Sequence, residues 1–235
     1  RMAVLFITHD FGVVAEIAHP IALMQRGRLV EQGDRTAVLQ SPHDSYTRTL
    51  LAAVPDLVPR PPRAALRDGD IAMRVRGLRK TFRSGGILSA NARLVHAVND
   101  VSFDIRRGET LGIVGESGSG KSTLARCVAR LVQPDAGEIR VGELDFGRLA
   151  RGALRRARKR IQMVFQDPYG SLDPRRTVGS LIAEGPIVHG VAAATALARS
   201  LELLELVGLD ARAAQRYPHE FSGGQRQRIG LARAL

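Results

Sequence analysis

One stretch constrains this chain more than any other: Gly115, Glu116, Ser117, Gly118 and Ser119, followed by Gly120, Lys121 and Ser122. It matches the phosphate-loop pattern, in which a glycine-rich turn joins a strand to a helix. The flanks agree, since residues 110–114 read as a strand and the pattern predicts a helix from Gly120 to Leu131. Each residue type has a task. Glycines let successive N–H groups turn toward phosphate oxygens, and the helix N-terminus adds positive potential. Lys121 suits the β- and γ-phosphates of a nucleotide, and the Ser122 hydroxyl suits Mg²⁺. Nucleotide contacts are therefore expected from Gly115 through Thr123.

Such a loop calls for an α/β fold, and the rest of the chain reads accordingly. Continuous apolar runs at 3–8 and 161–165 look like further buried strands of a parallel sheet. Asp10 stands as an N-cap before a helix from Phe11 to Ala18. Residues 21–25 and 28–31 read as a hairpin broken at Arg26 and Gly27, with short helices at 36–40 and 46–53. Pro55, Pro59, Pro61 and Pro62 mark 55–70 as a stiff linker between a segment 1–54 and a second α/β region, 71–235. There, strands are expected at 71–76, 94–105 and 138–141. Helices are expected at 177–184, at 193–207 and from Ser222 onward.

Lys and Arg number 35 against 23 Asp and Glu, a net charge of +12, which favours anionic partners. Cations are densest from Arg148 to Arg160. That run reads either as a solvated helix face or as a nucleic-acid patch, and no aromatic residues interleave it for base stacking. The single cysteine, Cys127, excludes a disulfide framework. No apolar run approaches the roughly 20 residues that span a bilayer, and residues 1–10 lack the layout of a signal peptide.

A second anion site follows Phe221. Ser222 caps a helix, and Gly223 and Gly224 let the backbone approach a phosphate ahead of Gln225. These four residues resemble the signature motif of ABC transporter ATPases, with Phe221 where Leu is usual. Gln166, at the end of the run 161–165, resembles the Q-loop of that family. The stretches 165–175, 217–221 and 45–55 are similar to the oligopeptide and dipeptide importer branch.

The resemblance implies roles. Ser222, Gly223, Gly224 and Gln225 would touch the γ-phosphate of ATP held by an opposite domain. Gln166 would reach Mg²⁺ and the attacking water, and would relay contact with membrane subunits. Phe82 would stack on adenine, although a core Phe is the other reading. His9 would be the switch histidine that helps orient the water. No apolar strand leading into an Asp-Glu pair follows the signature.

The resemblance also implies a P-loop NTPase fold with a parallel core sheet, an antiparallel β subdomain and a helical signature subdomain. The order of motifs, His9 before the phosphate loop, suggests a tandem protein cut at both ends. In that account 1–54 is the tail of one nucleotide-binding domain and 71–235 the front of another. A permuted single domain, with 3–8 docked beside 111–114, is the rival geometry. The implied cofactors are ATP and Mg²⁺. The implied partners are transmembrane permease subunits, a second nucleotide-binding domain and, indirectly, a substrate-binding protein, at the cytoplasmic face of a bacterial inner membrane. An ABC ATPase acting on nucleic acid and a non-catalytic nucleotide-binding fragment are the alternatives. Nucleic acid is not expected as a partner, and ATP turnover by this chain alone is expected to be poor.

Overall fold

The computed structural model describes residues 2–54, 70–84, 93–167 and 170–235. The chain divides into two compact units, Arg1–Arg63 and Ala64–Leu235. The expected linker, except for Asp70, lies outside the described residues.

In the first unit, α1 (Phe11–Ile17) is capped by Asp10, whose carboxylate accepts from the N–H groups of Gly12 and Val13. The hairpin β1 (Pro20–Gln25) and β2 (Arg28–Asp34) turns at Arg26 and Gly27, both with positive φ, as a two-residue hairpin loop requires. Asp34 and Asp44 then cap α2 (Arg35–Gln40) and α3 (Ser45–Ala52). Ile21, Leu23 and Val38 form the buried centre, with Phe11, Val14 and Leu50 packed around it.

The second unit is built on a four-stranded antiparallel sheet in the order β4-β3-β5-β6. Its strands are β3 (Ile71–Ser84), β4 (Arg93–Arg106), β5 (Ala136–Val141) and β6 (Leu144–Asp145). Against the sheet lie α4 (Lys121–Val128) and α5 (Arg151–Ala157), sharing a core of Val75, Leu78, Val98, Leu124, Cys127, Ile139 and Phe146. α4 stops short of the expected Leu131. Arg130 takes a positive φ of 52°, and its guanidinium bonds the carbonyls of Phe146 and Gly147. A second core, of Leu181, Ile182, Leu204, Phe221 and Ile229 among others, joins α6 (Val178–Val188), α7 (Ala193–Leu206) and α8 (Gly223–Ala234).

The antiparallel subdomain and the helical subdomain are thus as expected. The parallel sheet is not seen, because every strand pair among the described residues is antiparallel. The runs 3–8, 110–114 and 161–165 enter no strand, and Leu5 and Val114 are 88% and 93% exposed. An apolar run states a demand for burial. It becomes a strand only when neighbouring backbone offers N–H and C=O groups to pair with, and such partners are remote in sequence. Among the described residues neither 3–8 nor 111–114 belongs to a sheet within its own unit.

Candidate functional site

The phosphate loop is shaped by its glycines and by what packs behind it. Gly115, Gly118 and Gly120 all have positive φ. Gly120 is the most constrained, since a Cβ there would sit 2.0 Å from the carbonyl oxygen of Ala97 on β4. The loop therefore rests directly on the sheet. Gly120 caps α4 with no side-chain hydrogen bond, leaving the helix N-terminus open to an anion. Lys121 Nζ donates to the carbonyls of Gly115 and Glu116, both at 2.6 Å, and to Ser119 Oγ at 3.2 Å. The ammonium thus sits inside the loop that a phosphate would enter. Ser117 and Ser122 are exposed, and Thr123 is half-buried on the first turn of α4.

These features fit a Mg²⁺-nucleotide. Glycine nests, an uncapped helix start and one lysine form a cradle for phosphate oxygens, with the Ser122 hydroxyl beside them. Among the described residues no group of three or more His, Cys, Asp or Glu is placed to hold a metal ion.

β3 carries Phe82, which is 41% exposed and stands opposite Val95 of β4. Its ring lies on the surface, which disfavours the core reading. Lys80 Nζ stands 5.4 Å from the ring centroid. Two residues along β4 from Val95 is Ala97, the residue that backs Gly120. Neighbouring positions of one strand thus support both the exposed ring and the phosphate loop.

Gln166 is exposed at a bend that ends the run 161–165. The same run reaches the signature helix, where a Cβ on Gly230 of α8 would stand 4.0 Å from Val164 Cγ1. Ser222 and Gln225 form a reciprocal cap. Ser222 Oγ accepts from the Gln225 N–H at 3.3 Å, and Gln225 Oε1 accepts from the Ser222 N–H at 3.0 Å. No side chain or backbone crowds Gly223 or Gly224, so the helix start is open.

The departure at Phe221 has a packing reason. Its ring is 4% exposed within the helical core, and the Arg216 guanidinium lies 4.5 Å from its centroid. Arg226 of α8 donates to the Pro218 carbonyl at 2.7 Å and ties the preceding turn to the signature helix. In that turn the Tyr217 N–H donates to Glu220, and this bond leads the causes that hold the Glu220 carboxyl below its ordinary range. The sequence alone did not single out Arg216 or Arg226. A pair of arginines flanking Phe221 was the available signal.

His9 belongs to the first unit and is exposed ahead of α1, next to the Asp10 cap. The remaining candidates all lie in the second unit. There Phe82 and the phosphate loop are carried by or rest on the β sheet, while Phe221 and the signature helix belong to the helical core.

Comparison with known proteins agrees with this geometry. A family model described as ABC transporter matches residues 98–235. The chain is 48% identical over 260 residues to the glutathione import ATP-binding protein GsiA of Shigella dysenteriae, covering all of this chain and 42% of that protein. It is 48% identical over 259 residues to GsiA of Escherichia coli K12, with the same shares covered. It therefore spans less than half the length of these relatives. Among solved structures, the ADP- and Pi-bound dimer of the ATP-binding cassette MJ0796 superposes with a TM-score of 0.61 at 30% identity, covering 69% of this chain and 68% of that one. CbiO1 of Clostridium perfringens gives 0.56 at 25% identity, covering 71% and 61%. With the family model matched over more than half its length and its phosphate loop and signature cap in place, the chain belongs to the ATP-binding proteins of ABC transporters.

Proposed function

We propose that this chain is part of an ATP-binding, ATP-hydrolysing subunit that energises an ABC importer for peptides or a related small solute such as glutathione. The observation that carries the reading is Lys121, held inside a glycine loop at the uncapped start of α4. The name of the GsiA relatives supports a peptide-like solute. In this reading the residues from Gly115 through Thr123 bind the triphosphate, Phe82 stacks on the base, and Ser122 and Gln166 face Mg²⁺. Ser222, Gly223, Gly224 and Gln225 meet the γ-phosphate of a nucleotide on a second nucleotide-binding domain. His9 orients water in a site completed by another domain.

Segment 1–54 serves as the tail of one such domain and 71–235 as the front of the next, joined through 55–70. The MJ0796 cassette, solved as a dimer, supports pairing of domains. Permease subunits would anchor the assembly at the cytoplasmic face of the membrane, since no helix among the described residues is long and apolar enough to cross one.

When bound, Mg²⁺ would offset phosphate charge and polarise the bond to be broken. The chain's own part is to position. The loop N–H groups and Lys121 fix the triphosphate, and the signature N-terminus brings positive potential from the far side.

The test is Mg-ATP binding and turnover by the chain beside Lys121→Ala. Binding that disappears in Lys121→Ala, with little turnover in either, supports the reading. Binding unchanged by Lys121→Ala would remove the phosphate loop from the mechanism.

A further inference from the structure

Phe82 sits near the end of a strand with its ring 41% exposed. What fixes it lies in the turn before β5. Asp135 Oδ1 accepts from Lys80 Nζ at 2.7 Å, and Oδ2 accepts from the Thr81 N–H at 2.6 Å. The Asp135 N–H in turn donates to the Arg79 carbonyl at 2.9 Å. One residue thus grips three successive positions of β3, directly ahead of Phe82.

Lys80 is the other half of the grip. Its side chain is 15% exposed, and its ammonium lies between the Asp135 carboxylate and the face of the Phe82 ring. A cation over an aromatic face is attracted to the ring, and here the carboxylate sets where the cation stands. On the other edge of β3, Thr81 Oγ1 meets His96 Nδ1 at 3.1 Å, next to Ala97 behind the phosphate loop. The bond with Lys80 leads the causes that hold the Asp135 carboxyl below its ordinary range, so this carboxylate is ionised at neutral pH.

We propose that Asp135, acting through Lys80 and the Thr81 backbone, is a positioning residue that holds the Phe82 ring at the distance from the phosphate loop that a bound adenine nucleotide requires. Asp135 itself touches no nucleotide. The inference rests on the reading of Phe82 as the base platform. It assigns base affinity to a turn that lies neither in the phosphate loop nor on the platform strand.

Inorganic tripolyphosphate uses the phosphate loop and has no base, so it separates the two roles. ATP and tripolyphosphate affinities are measured by calorimetry at one Mg²⁺ concentration for the chain, Phe82→Ala, Asp135→Ala, Asp135→Asn and the double variant Phe82→Ala with Asp135→Ala. Stacking sets the scale, and Phe82→Ala is expected to weaken ATP about tenfold. Asp135→Ala should weaken ATP several-fold, with tripolyphosphate unchanged in both. The double variant should be no weaker than Phe82→Ala, because the two residues act through one ring. Asp135→Asn keeps an acceptor for the Thr81 N–H and should fall between. If Asp135→Ala does not fold, Lys80→Met removes the same ion pair from its other end and should show the same selective loss. Equal effects on both ligands, or none, while Phe82→Ala stays selective for ATP, would overturn the positioning role. A Phe82→Ala variant that binds ATP normally would instead sink the platform reading, and this inference with it.

Discussion

Gly120 and Phe221 show how single positions shape the two proposed anion sites. At Gly120 the absent side chain is the design. A methyl group there would need to occupy the place of the Ala97 carbonyl, at a φ of 94° that already costs a non-glycine residue about 1–2 kcal/mol. Gly120→Ala is expected to abolish nucleotide binding as fully as Lys121→Ala while leaving far-UV circular dichroism nearly unchanged. A fluorescent-nucleotide titration beside the spectrum checks both parts. At Phe221 the present side chain matters, since it fills the helical core beneath Arg216. Phe221→Ala is expected to cost about 3–5 kcal/mol of stability, read from denaturant midpoints. The family's usual Leu should be better tolerated, because more of the volume is kept.

Elements here are defined by their ends. α8 begins on the Ser222–Gln225 reciprocal cap, and Ser222→Ala should destabilise it by about 0.5–2 kcal/mol, measurable as a lowered denaturation midpoint. Asp210 caps the 3₁₀ turn Ala211–Gln215 and is gripped by Arg212, which holds its carboxyl down to about 2 against an ordinary 3.8. A carboxyl depressed on folding stabilises the native state above its unfolded pKa, and that stability drains away as pH falls through the folded value. Thermal melts between pH 5 and pH 2 should therefore lose less stability in Asp210→Asn than in the parent chain.

Two of the caps were legible beforehand. Asp10 and Ser222 announce helix starts through local hydrogen bonding, and Arg26 with Gly27 announces a hairpin, because such contacts span a few residues. The run 110–114 was misread for the opposite reason, since whether an apolar run pairs depends on backbone beyond its own neighbourhood, and this one enters no strand. The sequence marks Asp135 as part of a turn but not its hold on β3, because its partners, Lys80 and Thr81, lie more than fifty positions upstream. The exposure of Phe82 was open for the same reason, as only the neighbouring strand decides it.

For the whole molecule, the division into two units makes a direct claim. Every residue proposed to hold a nucleotide on this chain's own phosphate loop falls in the second unit. A chain beginning at Ala64 should bind ATP as tightly as the whole, with His9 dispensable for affinity. A large loss in the same titration would show that the first unit contributes. The basic run from Arg148 to Arg160, carried on α5 and the turn after it, is exposed apart from Leu154, Ala157 and the half-buried Leu149 and Ala153.

The unpaired runs at 3–8, 110–114 and 161–165 have a consequence best put in the language of polymer chemistry. Each is an open valence among the described residues, apolar and in no sheet, where an edge can template another strand. A molecule with one such valence stops at a dimer, whereas three permit branching. Self-association of the chain should then resemble a gel point, with little scattering at low concentration and an abrupt rise beyond a threshold.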